Sequence, residues 1–181
     1  MSHFPETTRA CVALQPVRSG DEAFLFNVYA STRAEELAPA GWNEQEQESF
    51  LRMQFQAQDK HYRENYPGAE LQIIQVDGGH AGRLYVHRRA NEIRIMDIAL
   101  LPAYRRRGIG TILLEEILAE GARLEKIVTI HVEVFNPALH WYERLGFRKK
   151  SADGPYQLME WSPSPKAGGL ESDRAIEAHR A

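Results

Sequence analysis

A chain of 181 residues, 43% hydrophobic and 26% charged, carries enough apolar sequence for one domain with a sizeable core, and two full domains would be cramped in it. Its 22 basic residues against 25 acidic ones leave a formal charge of −3, which excludes a surface built globally for nucleic acid or anionic membrane. The single cysteine, Cys11, rules out an intramolecular disulfide; with no leader-like start and no run of about eighteen apolar residues, a cytoplasmic location is expected.

Residues 9–16 read as a first strand ended by Pro16, with Cys11 as a small core residue on it. Ser19-Gly20-Asp21 can cap a helix whose Ala23, Phe24, Val28 and Tyr29 recur at helical spacing. From Glu35 to Pro67 the pattern is again helical, polar and studded with aromatics, with Phe50, Met53 and Ala57 as its expected buried stripe. Leu71 to Val76, Ala81 to His87 and Ile93 to Leu101 then form three strands joined by short turns, Asp77-Gly78-Gly79 and Arg88 to Asn91, which predicts an antiparallel meander. The last of these is apolar on both faces and should lie centrally, covered on both sides.

The next segment concentrates the chemistry. Tyr104-Arg105-Arg106-Arg107-Gly108-Ile109-Gly110-Thr111 places three arginines and two glycines before a helix running to about Leu124, whose apolar stripe is Ile109, Ile112, Leu113, Leu114, Ile117 and Leu118. The first turn of a helix offers unpaired N–H groups and the positive end of the helix dipole, and arginine adds planar cationic forks, so the predicted guest is a pyrophosphate. Neither common nucleotide loop fits: Leu113 stands where a Rossmann fingerprint wants its third glycine, and Gly-Lys-Ser/Thr is absent. A strand over 127–134 follows, parallel to its predecessor if the crossover is right-handed. Asn136 and Pro137 should start a short helix that ends at Gly146, with Ala138, Leu139, Tyr142 and Leu145 on one face. Phe147 to Lys150 and Tyr156 to Trp161 close the domain as a hairpin, and residues 162–181 change to a Ser/Pro/Gly-rich composition expected of a mobile tail. The seven histidines lack metal-ligand spacing, so no metal is expected.

Arg105-x-x-Gly108-x-Gly110 resembles the acyl-CoA loop of the GNAT superfamily of N-acetyltransferases, and Asn136 through Tyr142-Glu143-Arg144-Leu145-Gly146-Phe147 resembles that family's second signature, in the expected order. The resemblance spans roughly residues 70–161; Asn136 lies six residues before Tyr142, where seven is the more frequent family spacing. It implies an α/β fold of the mixed α+β kind: a mostly antiparallel sheet with one parallel strand pair splayed apart and helices on both faces. It further implies acetyl-CoA as co-substrate, bound by Arg105, Arg106, Arg107, Gly108, Ile109, Gly110 and Thr111, by the backbone of Ile98 and Leu100, and by Asn136. Tyr142 would supply the proton for the leaving thiolate, and Glu92, Asp97 and Glu133 remain open as the base, with strand alternation setting Glu92 and Asp97 on opposite faces. The acceptor would be a small-molecule or peptide amine meeting the 35–67 region, with no nucleic-acid or membrane partner. A homodimer through an edge strand near the C-terminus is one assembly the resemblance allows. The competing class is a non-catalytic acyl-CoA sensor, which would keep the arginine–glycine loop without needing Tyr142.

Overall fold

The computed structural model describes residues 11–37 and 41–163, so all but the first two residues of the tail expected over 162–181 lie outside the described residues. In chain order the elements are β1 (Val12–Pro16), α1 (Glu22–Leu37), α2 (Glu44–Asn65), β2 (Glu70–Val76), β3 (Gly79–Arg88), β4 (Glu92–Leu100), α3 (Ile109–Leu124), β5 (Ile127–Glu133), α4 (Leu139–Arg144), β6 (Arg148–Asp153) and β7 (Tyr156–Trp161). The strands form one sheet ordered β1-β2-β3-β4-β5-β7-β6, in which β4 and β5 are parallel and every other neighbouring pair is antiparallel. The predicted meander and the central β4 are both present.

Two hydrophobic clusters hold helices on the two faces. Ile109, Leu113, Leu114 and Ile117 of α3 and Tyr142 of α4 bury against Ile74, Leu84, Val86, Ile93, Ile95, Val128 and Ile130. On the opposite face Leu25 and Tyr29 of α1 meet Leu51 and Phe55 of α2 above Ile73. The α2 stripe therefore differs from the expected one: Leu51 and Phe55 are its buried residues, while Met53 is 59% exposed. Residues 50–57 carry two overlapping apolar rows, and the row that reaches the rings of Phe26 and Tyr29 is the one that packs. α2 starts sharply because Asn43 and Glu46 form a reciprocal capping box, Glu46 N–H donating to Asn43 Oδ1 at 2.9 Å and Asn43 N–H to Glu46 Oε2 at 3.0 Å. Cys11 is not a core residue; it is exposed just before β1, its N–H donating to Asp77 Oδ1.

Arg88 pins the far end of β3, its guanidinium 2.8 Å from Glu120 of α3 and 2.9 Å from Glu70 of β2. Arg88 hydrogen bonding holds the Glu120 carboxyl below its ordinary value of 4.5, against the opposing effect of burial. A depressed carboxylate contributes stability that is complete above its unfolded value and lost as pH falls through the folded one. Stability should therefore drop as pH falls below 4.5, and Arg88→Met should cost about 1 kcal/mol at pH near 6 while flattening that acid decline. Urea midpoints from about pH 6 to 3 check this; parallel curves for the two proteins would contradict it. At the outer edge, β6 is exposed throughout, carries Arg148-Lys149-Lys150, and is bulged between Lys149 and Ser151. Those features oppose the addition of a further strand at this edge.

Candidate active site

The site begins where β4 and β5 part. Their pairing covers only four positions, Glu92↔Ile127 to Ile95↔Ile130, although β4 continues to Leu100 and β5 to Glu133. The departure coincides with a bulge on β4: Val86 faces Ile95 and Tyr85 faces Asp97, leaving Met96 as the extra residue. Beyond the bulge the alternation of an antiparallel ladder decides where the main chain points. Leu101 N–H donates to Ala81 O across β3 at 2.9 Å, so the peptide groups of Leu100 and Ile98 point the other way, into the gap.

The bulge also corrects the expectation for the acids. An unbroken strand would set Glu92 and Asp97 on opposite faces, but the inserted Met96 resets the alternation and puts both on the α1/α2 face. Their surroundings differ. Glu92 lies at the start of β4, below the gap, paired with Arg89 at 3.2 Å and Arg94 at 3.0 Å and hydrogen-bonded by the Thr129 hydroxyl. Burial pushes its carboxyl up, yet Thr129, Arg94 and Arg89 together outweigh this and hold it below the usual value. Asp97 is 2.6 Å from Arg83, whose side chain is only 4% exposed and also donates to Gln58 Oε1 at 2.9 Å. Glu133 ends β5 at the opposite lip of the gap and pairs with Arg33 of α1 at 3.1 Å, both side chains partly open to solvent. Arg33 and Arg83 each lie 5.8 Å from the ring of Tyr29, so this network spans the α1/α2 side of the gap. The sequence reading missed both arginines. For Arg83 a signal existed: a lone arginine inside the apolar run of β3 has to find a buried partner.

On the α3/α4 face, Tyr142 is 5% exposed and packs against the rings of Trp141 and Phe147. Burial first, then the charge of Asp97, drives its phenol well above the ordinary value of 10, so it stays protonated.

The arginine–glycine loop reaches α3 through a short 3-10 turn, Pro102–Tyr104. Gly108 adopts a left-handed φ of 78° as the residue before α3, and no side chain caps the helix, leaving the N–H groups of its first turn open. The three arginines are not equivalent. Arg105 turns back on the protein, Nε donating to Leu100 O at 2.8 Å and Nη2 to Ser31 O of α1 at 3.1 Å. Arg106 takes a φ of 59°, and Arg107 lies 5.5 Å from the ring centroid of Tyr104. Thr111 accepts from Trp141 Nε1 at 3.1 Å, which ties α3 to α4. Gly110 lacks a side chain for the same reason, since a Cβ there would sit 3.1 Å from Trp141 Cη2. Gly110→Ala should displace the indole, lower stability by about 1–2 kcal/mol and weaken acetyl-CoA binding roughly 3–10-fold, with partial recovery in Gly110→Ala/Trp141→Phe. Thermal melts and calorimetry check both parts.

Asn136 and Pro137 precede the helix instead of starting it. Asn136 Oδ1 accepts from Ala138 N–H at 2.8 Å in a turn, and α4 begins only at Leu139, so half of the Asn136 amide is already engaged.

A mixed sheet whose central parallel pair opens at a bulge, with an uncapped helix start at the same end, defines a GNAT-type acyltransferase fold. Residues 67–149 match the family model described as the Acetyltransferase (GNAT) domain. Among solved structures the chain is similar to a PaiA N-acetyltransferase from Thermoplasma acidophilum in complex with coenzyme A, at 19% identity and TM-score 0.63, over 84% of this chain and 99% of that one. It is likewise similar to the ribosomal-protein-S18-alanine N-acetyltransferase from Escherichia coli, at 19% identity and TM-score 0.59 over 88% and 99%. A third is a GNAT family acetyltransferase from Elizabethkingia anophelis with acetyl-CoA bound, at 14% identity and TM-score 0.54 over 83% and 97%. Such identities speak to the fold alone. No curated protein matches the sequence. The match to the GNAT acetyltransferase domain thus covers residues 67–149, and the described residues as a whole share the fold of these acetyltransferases.

Proposed function

We propose that this chain transfers an acetyl group from acetyl-CoA to a primary amine, of a small molecule or a peptide, by direct attack within a ternary complex. The observation that carries the reading is the gap past Ile95↔Ile130, open at the same end of the sheet as the uncapped start of α3. In this reading the N–H groups of Ile109, Gly110 and Thr111, with Arg106 and Arg107, hold the pyrophosphate. The outward peptide groups of Ile98 and the N–H of Leu100 pair with the pantetheine arm. Leu100 N–H or Ile98 N–H then meets the thioester oxygen as negative charge develops on it. Tyr142 donates a hydrogen bond to the departing sulfur.

The amine approaches from the α1/α2 face and must be neutral to attack, so its proton has to leave, directly or through water. Of the three candidate acids, Glu133 suits this best: it stands at the lip of the gap and keeps contact with solvent. Asp97 is held by a buried arginine, and Glu92 has three partners below the gap.

Free-thiol release from acetyl-CoA, measured with butylamine, lysine and an alanine-initiated tetrapeptide, tests the reading. Release that depends on an amine, with no acyl group found on the protein by mass spectrometry, is the expected result. An acyl-protein intermediate would overturn direct transfer, and tight binding with no release would mark an acyl-CoA sensor.

A further inference from the structure

The first arginine of the loop is bonded in a way the motif does not suggest. Arg105 places Nε on the Leu100 carbonyl at 2.8 Å and Nη2 on the Ser31 carbonyl at 3.1 Å, with the Ser31 hydroxyl at 3.3 Å. Ser31 is itself fixed, since its hydroxyl donates to Val28 O at 2.7 Å within α1. The same helix reaches the other lip two residues later, where Arg33 meets Glu133 at 3.1 Å. One helix is thus tied to β4 through Arg105 and to β5 through Arg33, on either side of the gap.

We infer that Arg105 is a positioning residue that fixes α1 across the mouth of the strand gap, and is not an anion ligand for the cofactor. Its Nε and Nη2 are spent on Leu100 and Ser31, which leaves Nη1 alone to approach a phosphate, without the side-on fork that Nε and Nη2 would present. By covering the Leu100 carbonyl it leaves the neighbouring N–H of Leu100 as the group facing the gap. By holding Ser31 it fixes the helix that carries Tyr29 and Arg33 on the acceptor side. The pyrophosphate charge then falls to Arg106, Arg107 and the start of α3. The inference rests on the function proposed above.

Three variants decide it: Arg105→Gln, Arg105→Lys and Arg107→Gln, each first shown to melt cooperatively. Acetyl-CoA affinity is measured by calorimetry at about 0.05 and 0.5 M salt, where an exposed ionic contact weakens with screening. Hydrogen exchange of residues 28–33 and 96–101 is followed in the same proteins, and turnover is read as thiol release with the amine that serves the wild type best among the three probes. Expected for Arg105→Gln is acetyl-CoA affinity within about 3-fold of wild type with the same salt dependence, exchange at least about 10-fold faster in both segments, and kcat at least about 10-fold lower. Lysine should not rescue it, because a point charge cannot span the two carbonyls. Arg107→Gln should show the reverse, weaker and less salt-dependent binding with unchanged exchange. The inference is overturned if Arg105→Gln flattens the salt dependence and Arg105→Lys restores it, or if exchange in the two segments does not change. Wild type that binds no acetyl-CoA would sink the proposed function itself, a result separable from any of these.

Discussion

Tyr142→Phe is expected to lower kcat by roughly 10²-fold while acetyl-CoA affinity stays within about 2-fold of wild type. A thiol leaves with a pKa of about 8.5, whereas an ordinary phenol sits near 10, and burial together with Asp97 lifts Tyr142 further still. A phenol in that position does not surrender its proton to the thiolate at equilibrium. In the proposed function it would keep the proton and donate a charge-assisted hydrogen bond, on the order of 1.5–3 kcal/mol, as the sulfur gains charge. Two consequences separate this from proton donation. The loss in kcat should be the same across the working pH range, and the alkaline side of the wild-type pH–rate profile should carry no limb that vanishes in Tyr142→Phe. A variant that keeps full kcat, or that loses binding as much as turnover, would remove Tyr142 from the chemistry.

The second large effect is expected at Gly82, opposite Leu100 on β3. A Cβ there would run into the Ala99 carbonyl and sit 3.0 Å from both Leu100 Cα and Cδ2. Two of those neighbours are backbone, so no rotamer change relieves the contact and β3 and β4 must separate at the lip that bears Ile98 and Leu100. Gly82→Ala should cost ~3 kcal/mol, about 6–12 °C in Tm for a domain of this size. It should also weaken acetyl-CoA binding in whatever fraction remains folded. Tm within about 1 °C of wild type would show that the two strands yield more readily than their geometry suggests.

The fold was legible in this sequence because periodicity and punctuation agreed: alternating runs at 71–76 and 81–87 around Asp77-Gly78-Gly79 give the meander, and the stripe after Gly108 gives α3 within its observed bounds. The loop and Tyr142 were legible because their residue types are tied to chemistry. What stayed hidden depends on long-range pairing. The bulge at Met96 leaves only a slip in alternation, polar at Glu92 and Arg94 and then at Asp97, which reads as a strand apolar on both faces, yet it decides that Glu92 and Asp97 share a face, and it coincides with the parting of β4 from β5. The direction of Arg105 is set by Ser31, 74 residues earlier in the chain. The buried row of α2 was misread because Phe50 with Met53 and Leu51 with Phe55 are equally apolar rows, and only the position of α1 chooses between them. Cys11, expected in the core of a strand, lies just outside β1, where strand ends cannot be placed to the residue from pattern alone.

The most direct test is a calorimetric titration of the folded chain with acetyl-CoA and, in parallel, with S-acetylpantetheine, which keeps the thioester arm but lacks the pyrophosphate. Expected is a Kd on the order of micromolar for acetyl-CoA and binding at least ~10²-fold weaker for the fragment, since in the proposed function the start of α3 and its arginines hold the anion. Equal affinity for the two, or no binding of acetyl-CoA by a chain that melts cooperatively, would contradict it.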